Sequence, residues 1–209
     1  MRRSHNGSRP KLAPTKKLGP CILEGTHVRL EPLRQKYASS LLFAAKKLDW
    51  NWFLRPLHTK DDVDKRIVYA RKAERRGEGY SFVVKSKRYD QVVGSTSYLL
   101  VDSEQKTVEI GSTWYIPDVQ GTQVNPECKY LLMKHAFEDW GAIRIQFITD
   151  ANNLHSQRAI LKLGARFEGR LRNHKVRGNG SMRDSMVYSV IANEWPTVRE
   201  GLLARIRDS

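Results

Sequence analysis

A switch of hydrophobic period constrains this chain more than any other feature. Between residues 80 and 116 three runs alternate with a period of two: YSFVVKS (80–86), VVGSTSYLLV (92–101) and TVEIGSTWYI (107–116). The polar turns KRYD and DSEQK join them. Elsewhere the period lengthens to that of a helix, as in RQKYASSLLFAAKKL (34–48). A strand repeats its face every second residue and a helix every third or fourth, so a chain that changes between them lays helices on a sheet. THVRLEPL (26–33) reads as a further strand. Thr59 with Asp61 and Asp62 starts a helix that Gly77 and Gly79 stop near Arg76. Later, IRIQFITD (143–150) is a strand and NLHSQRAILKLG (153–164) a short helix. RFEGRLRNHKV and DSMVYSVI form a hairpin around RGNGSMR. A last helix begins near Asn193 and carries Trp195, Leu202, Leu203 and Ile206. The predicted order is β-α-α-β-β-β-α-β-α-β-β followed by that helix, a mixed α/β arrangement with a central sheet covered by helices.

The single domain is read over residues 21–209. The first twenty residues, MRRSHNGSRPKLAPTKKLGP, hold six Lys or Arg and no acid, and read as a disordered basic tail. The formal charge is +15; without the tail 31 basic residues still face 22 acidic ones, so the domain itself is basic. Such charge suits an anionic partner: nucleic acid, a ribosome surface or a polyphosphate cofactor. A solvated basic face explains it too. No apolar run reaches the roughly 18 residues that suggest a membrane span, and no secretory pattern opens the chain. Membrane association is not expected, and a cytoplasmic location is. Cys21 and Cys128 are too few for a disulfide framework and read as reduced thiols. The six histidines show no metal spacing, so no metal is expected.

One stretch carries a chemical signal. DVQGTQVNPECKYLLMKHAFEDWG (118–141) is a tight turn followed by a helix. Asn125 reads as its N-cap, Pro126 as the first helical residue, and Glu127 as a negative charge near the positive helix end. Cys128, Leu131, Leu132, Ala136 and Trp140 form the inward stripe, and Gly141 is the stop. Backbone N–H groups at such a start attract phosphate. A plain helix cap with no ligand reads from the same residues.

The element order, together with EIGSTWYIPDVQGTQVN, TDANNLHSQRAILKLGARFEGRLRNH and EWPTV, resembles the GNAT superfamily of N-acetyltransferases, and within it the RimJ/RimL type that acetylates N-terminal amines of ribosomal proteins. The likeness runs from about residue 22 to 200. It implies a GNAT fold, with a mixed central sheet whose splayed strands are flanked by helices, and acetyl-CoA as cosubstrate. The family's loop pattern, Gln/Arg-x-x-Gly-x-Gly/Ala, falls on Gln120, Gly121, Thr122, Gln123, Val124 and Asn125. Gln123 replaces the first pattern glycine. A side chain there suits pyrophosphate only if it points away or if its φ is negative. The resemblance further implies that pantetheine pairs with the main chain of Trp114, Tyr115 and Ile116; core packing is the other reading of the two aromatic side chains.

Glu109 is the candidate general base, since an attacking ammonium must first lose a proton. A hydrogen-bonded structural glutamate is the rival reading. Alternation puts Glu109, Gly111, Thr113 and Tyr115 on one face. Asn153 and Ser156 match the family's Asn-x-x-Ser, in which the asparagine bonds pantetheine and the serine assists the leaving thiolate; helix capping accounts for both as well. At the position that matches a RimL-type catalytic glutamate stands Lys175, beside His174. This departure bears on the ribosomal-protein assignment and leaves the base role to Glu109 or His174; an exposed hairpin histidine is the other reading of His174. Arg166, Arg170, Arg172, Lys175, Arg177 and Arg183 cluster on the terminal hairpin, as a site for an acidic acceptor, ribosomal RNA or the CoA 3′-phosphate, or as a solvated face. DWNWFL (49–54) is read as acceptor pocket or core. The leading expectation is direct acetyl transfer from acetyl-CoA to a primary amine, a protein N-terminus or a small molecule, by a monomer or homodimer. The alternative is a GNAT-fold protein that has lost catalysis and binds RNA or protein through its basic faces.

Overall fold

The computed structural model describes residues 17–177 and 180–207. Its strands are β1 (Leu23–Glu24), β2 (Val28–Pro32), β3 (Tyr80–Ser86), β4 (Gln91–Asp102), β5 (Thr107–Tyr115), β6 (Arg144–Asp150), β7 (Arg166–Val176) and β8 (Met182–Ile191). Its helices are α1 (Ala38–Ala45), α2 (Lys60–Arg76), α3 (Val124–Lys134), α4 (Leu154–Lys162) and α5 (Trp195–Arg207). The expected order of elements is present, with the two-residue β1 added in front. A strand that short has no periodicity to read. The helix expected over 34–48 is a 3₁₀ turn at Gln35–Tyr37 and then the shorter α1. Most of the expected tail lies outside the described residues. Within them Leu18 is buried in the core, so the packed body begins before residue 21.

The strands form one sheet in the order β1-β2-β3-β4-β5-β6-β8-β7. Every neighbouring pair is antiparallel except β5 with β6. Helix α2 shows how sequence sets an element. Thr59 and Asp62 close a capping box at its start, and Gly77, at φ 72°, supplies the left-handed residue at its end. Its Arg66 donates to Ser81 and Ser97 on one sheet face. The opposite face carries α3, where Tyr98 donates to the Leu132 carbonyl at 2.5 Å. Phe82, Tyr98, Phe147, Leu132 and Met133 fill the layer under α3. Trp195 of α5 stacks on Phe137 and Tyr130 from outside.

The parallel pair is short and shapes everything that follows. Only Thr107↔Arg144, Val108↔Ile145 and Glu109↔Gln146 are paired. Beyond them β5 stays with β4 as far as Gly94↔Tyr115, and β6 stays with β8 as far as Asp150↔Ser185. The two strands therefore splay like a fork, with Glu109 and Gln146 at its vertex. A bulge re-aims β5 at this point. Trp114 faces Ser95 and Gly111 faces Ser97, which leaves one extra residue in β5, and Ser112 sits at φ 48°. Bulges bend a strand and increase its local twist.

The bulge also breaks the expected alternation. By register, Glu109, Gly111 and Trp114 share the α2 face, whereas Thr113 and Tyr115 turn to α3. Thr113 bonds Thr96, and Trp114 packs its ring on Trp50 at 5.4 Å. The Trp50 side chain is thus core, while Trp52 remains exposed.

Candidate active site

The loop before α3 is the first part of the site. Helix α3 starts at Val124, with Gln123 in the cap position and no side-chain cap. Asn125 is therefore not the N-cap and Pro126 is not the first helical residue. Pro126 is third, where its missing N–H is still one of the unpaired ones of a helix start. Gly121 takes φ 77°, and a Cβ built on it would meet nothing within 4 Å. Its need for glycine is conformational, and the space above it is open. Thr122 donates to the Val119 carbonyl and accepts from Val124 N–H, which fixes the turn. Among the described residues the N–H groups of Gly121, Thr122 and Asn125 make no hydrogen bond within the chain. Gln123 has φ −65°, a value any residue adopts.

Glu127 does more than complement the helix end. Its buried carboxylate accepts from the N–H groups of Thr26, His27 and Val28 at 2.7, 2.7 and 2.8 Å. It ties the β1–β2 turn to the start of α3. A Cβ on Gly25 would lie 2.3 Å from the Glu127 Cδ, so glycine there makes room for the carboxylate.

Of the three main-chain positions expected to meet a pantetheine, one opens toward the fork. Ile116 N–H donates to Val93 of β4 at 2.8 Å. Alternate residues of an antiparallel strand turn their polar groups to the partner, so Trp114 also faces β4 and Tyr115 faces away. The Tyr115 carbonyl accepts from the Gln120 side chain at 3.0 Å, leaving its N–H directed at the gap. The Tyr115 ring itself is buried.

Glu109 sits at the vertex, 9 % exposed, with Gln146 Nε2 3.4 Å from its Oε2. Burial raises its carboxyl above the usual range, opposed by the Gln146 bond and by the charges of Lys175 and Arg183. Its Oε1 lies 2.7 Å from where a Gly111 Cβ would be, so Gly111 leaves the space that the side chain occupies. On the other face of the fork is a residue that sequence periodicity gives no reason to bury. Lys129 of α3 is 6 % exposed. Its Nζ lies 2.9 Å from Thr113 Oγ1 and 5.6 Å from the Phe147 ring centroid, so it spans from β5 to β6. Burial lowers its pKa to about 8. The only signal for it in the sequence is its position, one residue after Cys128 in a helix whose apolar stripe is weakly defined.

Asn153 caps α4 by accepting from Ser156 N–H at 2.9 Å, as capping requires. Gln157 holds the preceding turn through the Ala151 carbonyl and accepts from Tyr188. The terminal basic cluster is mostly paired: Arg166 with Glu194, Arg170 with Asp184, and Arg177 and Arg183 with Asp150. Among the described residues Arg172 and Lys175 have no ion pair. His174 is half-buried and not an exposed hairpin histidine; burial, Lys175 and Arg183 lower its pKa. The thiols are inert at neutral pH: burial pushes Cys21 up to about 11 and Cys128 up to about 12.

The fold as a whole has counterparts among known proteins. The model of the acetyltransferase (GNAT) domain matches residues 27–166. A GCN5-related N-acetyltransferase from Brucella melitensis superposes with TM-score 0.85 at 28% identity, over 95% of this chain and 90% of the other. A protein from T. thermophilus described as an acetyltransferase gives TM-score 0.78 at 34% identity, over 90% and 97%. At 20% identity, RimJ of Mycobacterium smegmatis, solved with CoA-disulfide, has the same fold, with TM-score 0.74 over 88% and 94%.

Proposed function

The chain belongs to the GNAT family of N-acetyltransferases, and from that premise we propose that it transfers acetyl directly from acetyl-CoA to a primary amine, with Glu109 as the base. The fork at Glu109 and Gln146 carries this reading. It is a gap of unpaired main chain with an anion-seeking loop at one end and a buried carboxylate at the other.

The residues fit such a donor. The free N–H groups of Gly121, Thr122 and Asn125 and the positive end of α3 suit a pyrophosphate. The Tyr115 N–H suits a carbonyl lying along β5, as an added strand would. Asn153 and Ser156 stand at the start of α4, the element that follows β6, and in this reading they serve pantetheine and the departing sulfur. Lys129 places a positive charge on the α3 side of the gap, where negative charge gathers as the thioester breaks. M. smegmatis RimJ, which shares the fold, was solved with CoA-disulfide, which supports a CoA thioester as the donor.

The acceptor approaches from the α2 face. Glu109, directly or through one water, takes a proton from the ammonium. The free amine nitrogen then attacks the acetyl carbonyl carbon, the C–N bond forms and the C–S bond breaks; the nitrogen's second proton passes through Ser156 or water to the departing thiolate, and the proton on Glu109 returns to solvent. Burial suits Glu109 to this task, because a raised pKa makes a carboxylate a stronger base. The rival reading, a fold that has lost catalysis, draws on Gln123 and Lys175. At φ −65° the glutamine is no obstacle to the loop, and a base remains at the vertex.

Isothermal titration with acetyl-CoA tests the donor half. Saturable binding with a 1:1 end point is expected. No heat and no thermal shift at millimolar acetyl-CoA sinks the reading. Thiol release in the presence of primary amines tests the transfer half.

A further inference from the structure

We propose that the acceptor is an amine that also carries a carboxylate, and that Arg183 and Lys175 receive this carboxylate beside Glu109. The inference rests on the donor reading above and concerns the other face of the fork. The strand register places Glu109, Gln146, Asp150, Ser185, Arg183 and Lys175 on one face, across β5, β6, β8 and β7 in turn.

Three buried polar atoms in this area have no hydrogen-bond partner among the described residues: Arg183 Nε, Ser185 Oγ and His174 Nδ1. Ser185 is fully buried, and the Arg183 side chain is 11% exposed. Buried donors in native proteins are almost always bonded, so a cluster of orphans calls for a missing acceptor. Within the chain the candidate is Asp150, whose ion pair with Arg183 is too long to be a hydrogen bond. Arg177 holds it at 2.5 Å, while Arg183 Nε stays 3.7 Å away. Lys175 has no ion pair among the described residues.

The missing partner is therefore acceptor-rich and negative. A carboxylate offers two oxygens and no donor, which matches a guanidinium N–H, an ammonium and a hydroxyl. The charge balance agrees. Arg177, Arg183 and Lys175 exceed Asp150 and Glu109 by one positive charge, so a simple cationic amine adds to an excess that a carboxylate offsets. An α-amino acid and a peptide whose first residue is acidic both meet this requirement, and the test separates them.

Acetyl-CoA binding is first verified by calorimetry; its absence removes the premise. Thiol release is then measured with two matched pairs. One is phenylalanine against 2-phenylethylamine. The other is aspartyl-alanyl-alanine amide against its asparaginyl counterpart. In at least one pair the carboxylated member is expected to have kcat/KM higher by about 30-fold, mostly through KM, since a charged hydrogen bond in a shielded site is worth about one to two powers of ten. The pair that discriminates names the source of the carboxylate. Lys175→Met, at an exposed position that tolerates change, and Arg183→Gln are expected to cut the ratio at least fivefold, and Arg183→Lys to restore part of it. Ratios near one in both pairs, a preference for the uncharged members, no turnover of any of the four while acetyl-CoA binds, or variants that lower both members alike would each overturn the proposal.

Discussion

Replacing Lys129 with methionine should stabilise the protein at neutral pH, and the gain should fade as pH rises. The two side chains are similar in length, and the site is 6 % exposed. In the folded state the ammonium pKa is about 8, against an ordinary 10.5. Between these values the unfolded chain holds a proton that the folded chain has lost, so wild-type stability rises with pH across that window. Below pH 8 the folded protein carries a buried ammonium with no carboxylate partner among the described residues. At about 1.4 kcal/mol per pKa unit, that costs about 3 kcal/mol at pH 7. Methionine removes the cost, but forfeits the Thr113 hydrogen bond and the Phe147 contact, together about 1.5 kcal/mol. The net gain expected at pH 7 is about 1–2 kcal/mol, or about 3–6 °C in Tm for a chain of this size. At pH 10 most of the ionisation cost is gone, and Lys129→Met should be equal to wild type or slightly less stable. Urea unfolding of both proteins at pH 7 and pH 10 checks this, because other titrating groups cancel in the difference. A variant less stable than wild type at pH 7, or a difference independent of pH, refutes the reasoning. With the donor in the gap between β5 and β6, as proposed, acetyl-CoA affinity should fall in the same variant, because the charge on that side of the gap is lost.

Further outcomes are expected for changes at four positions. Glu109→Gln should lower kcat by about 10²–10³-fold while leaving acetyl-CoA binding intact by calorimetry. In the proposed mechanism Glu109 acts as the deprotonated base, and burial raises its pKa, so wild-type rate should climb with pH through a value above 4.5, and this acid limb should vanish in the variant's pH–rate profile. Gln123→Gly should leave acetyl-CoA affinity unchanged or modestly improved; abolished binding would make the glutamine a ligand contact. Glu127→Gln should cost about 3 kcal/mol by urea titration, as one of its oxygens is replaced by a donor facing backbone N–H groups. Gly25→Ala should be destabilising as well, through its 2.3 Å approach to the same carboxylate, and the two losses should not add in the double variant.

Much of the site was readable as residues but not as geometry. Gln120 to Asn125 could be recognised as a loop that favours anions, since Gly121 and the following helical pattern are local signals. The register of the helix start was not, because Asn125-Pro126 is a strong capping signal that the turn around Thr122 overrides by starting the helix at Val124. Glu109 was readable as a carboxylate on a strand. Its place at the last pair of a fork was not, because pairing depends on where β4 and β8 carry the two strands. The alternation across 109–115 failed at Ser112, since a serine at φ 48° leaves no mark in the hydrophobic pattern.

Local physics and composition thus determined the list of elements. Period, caps and turn residues act within a few positions, and they set the α/β class, the ends of α2 and the span of β3. The tertiary structure alone decided which polar groups are buried and what they meet. Lys129 is an ordinary surface residue in any local reading, and it becomes a shielded charge because α3 lies over the gap between β5 and β6. Glu127 ties residues about a hundred positions away. Arg183, Ser185 and Lys175 come to share a face with Glu109 through three strand pairings in succession. Desolvation and long-range hydrogen bonding depend on which surfaces meet, and that information is spread over the whole chain rather than written at any one position.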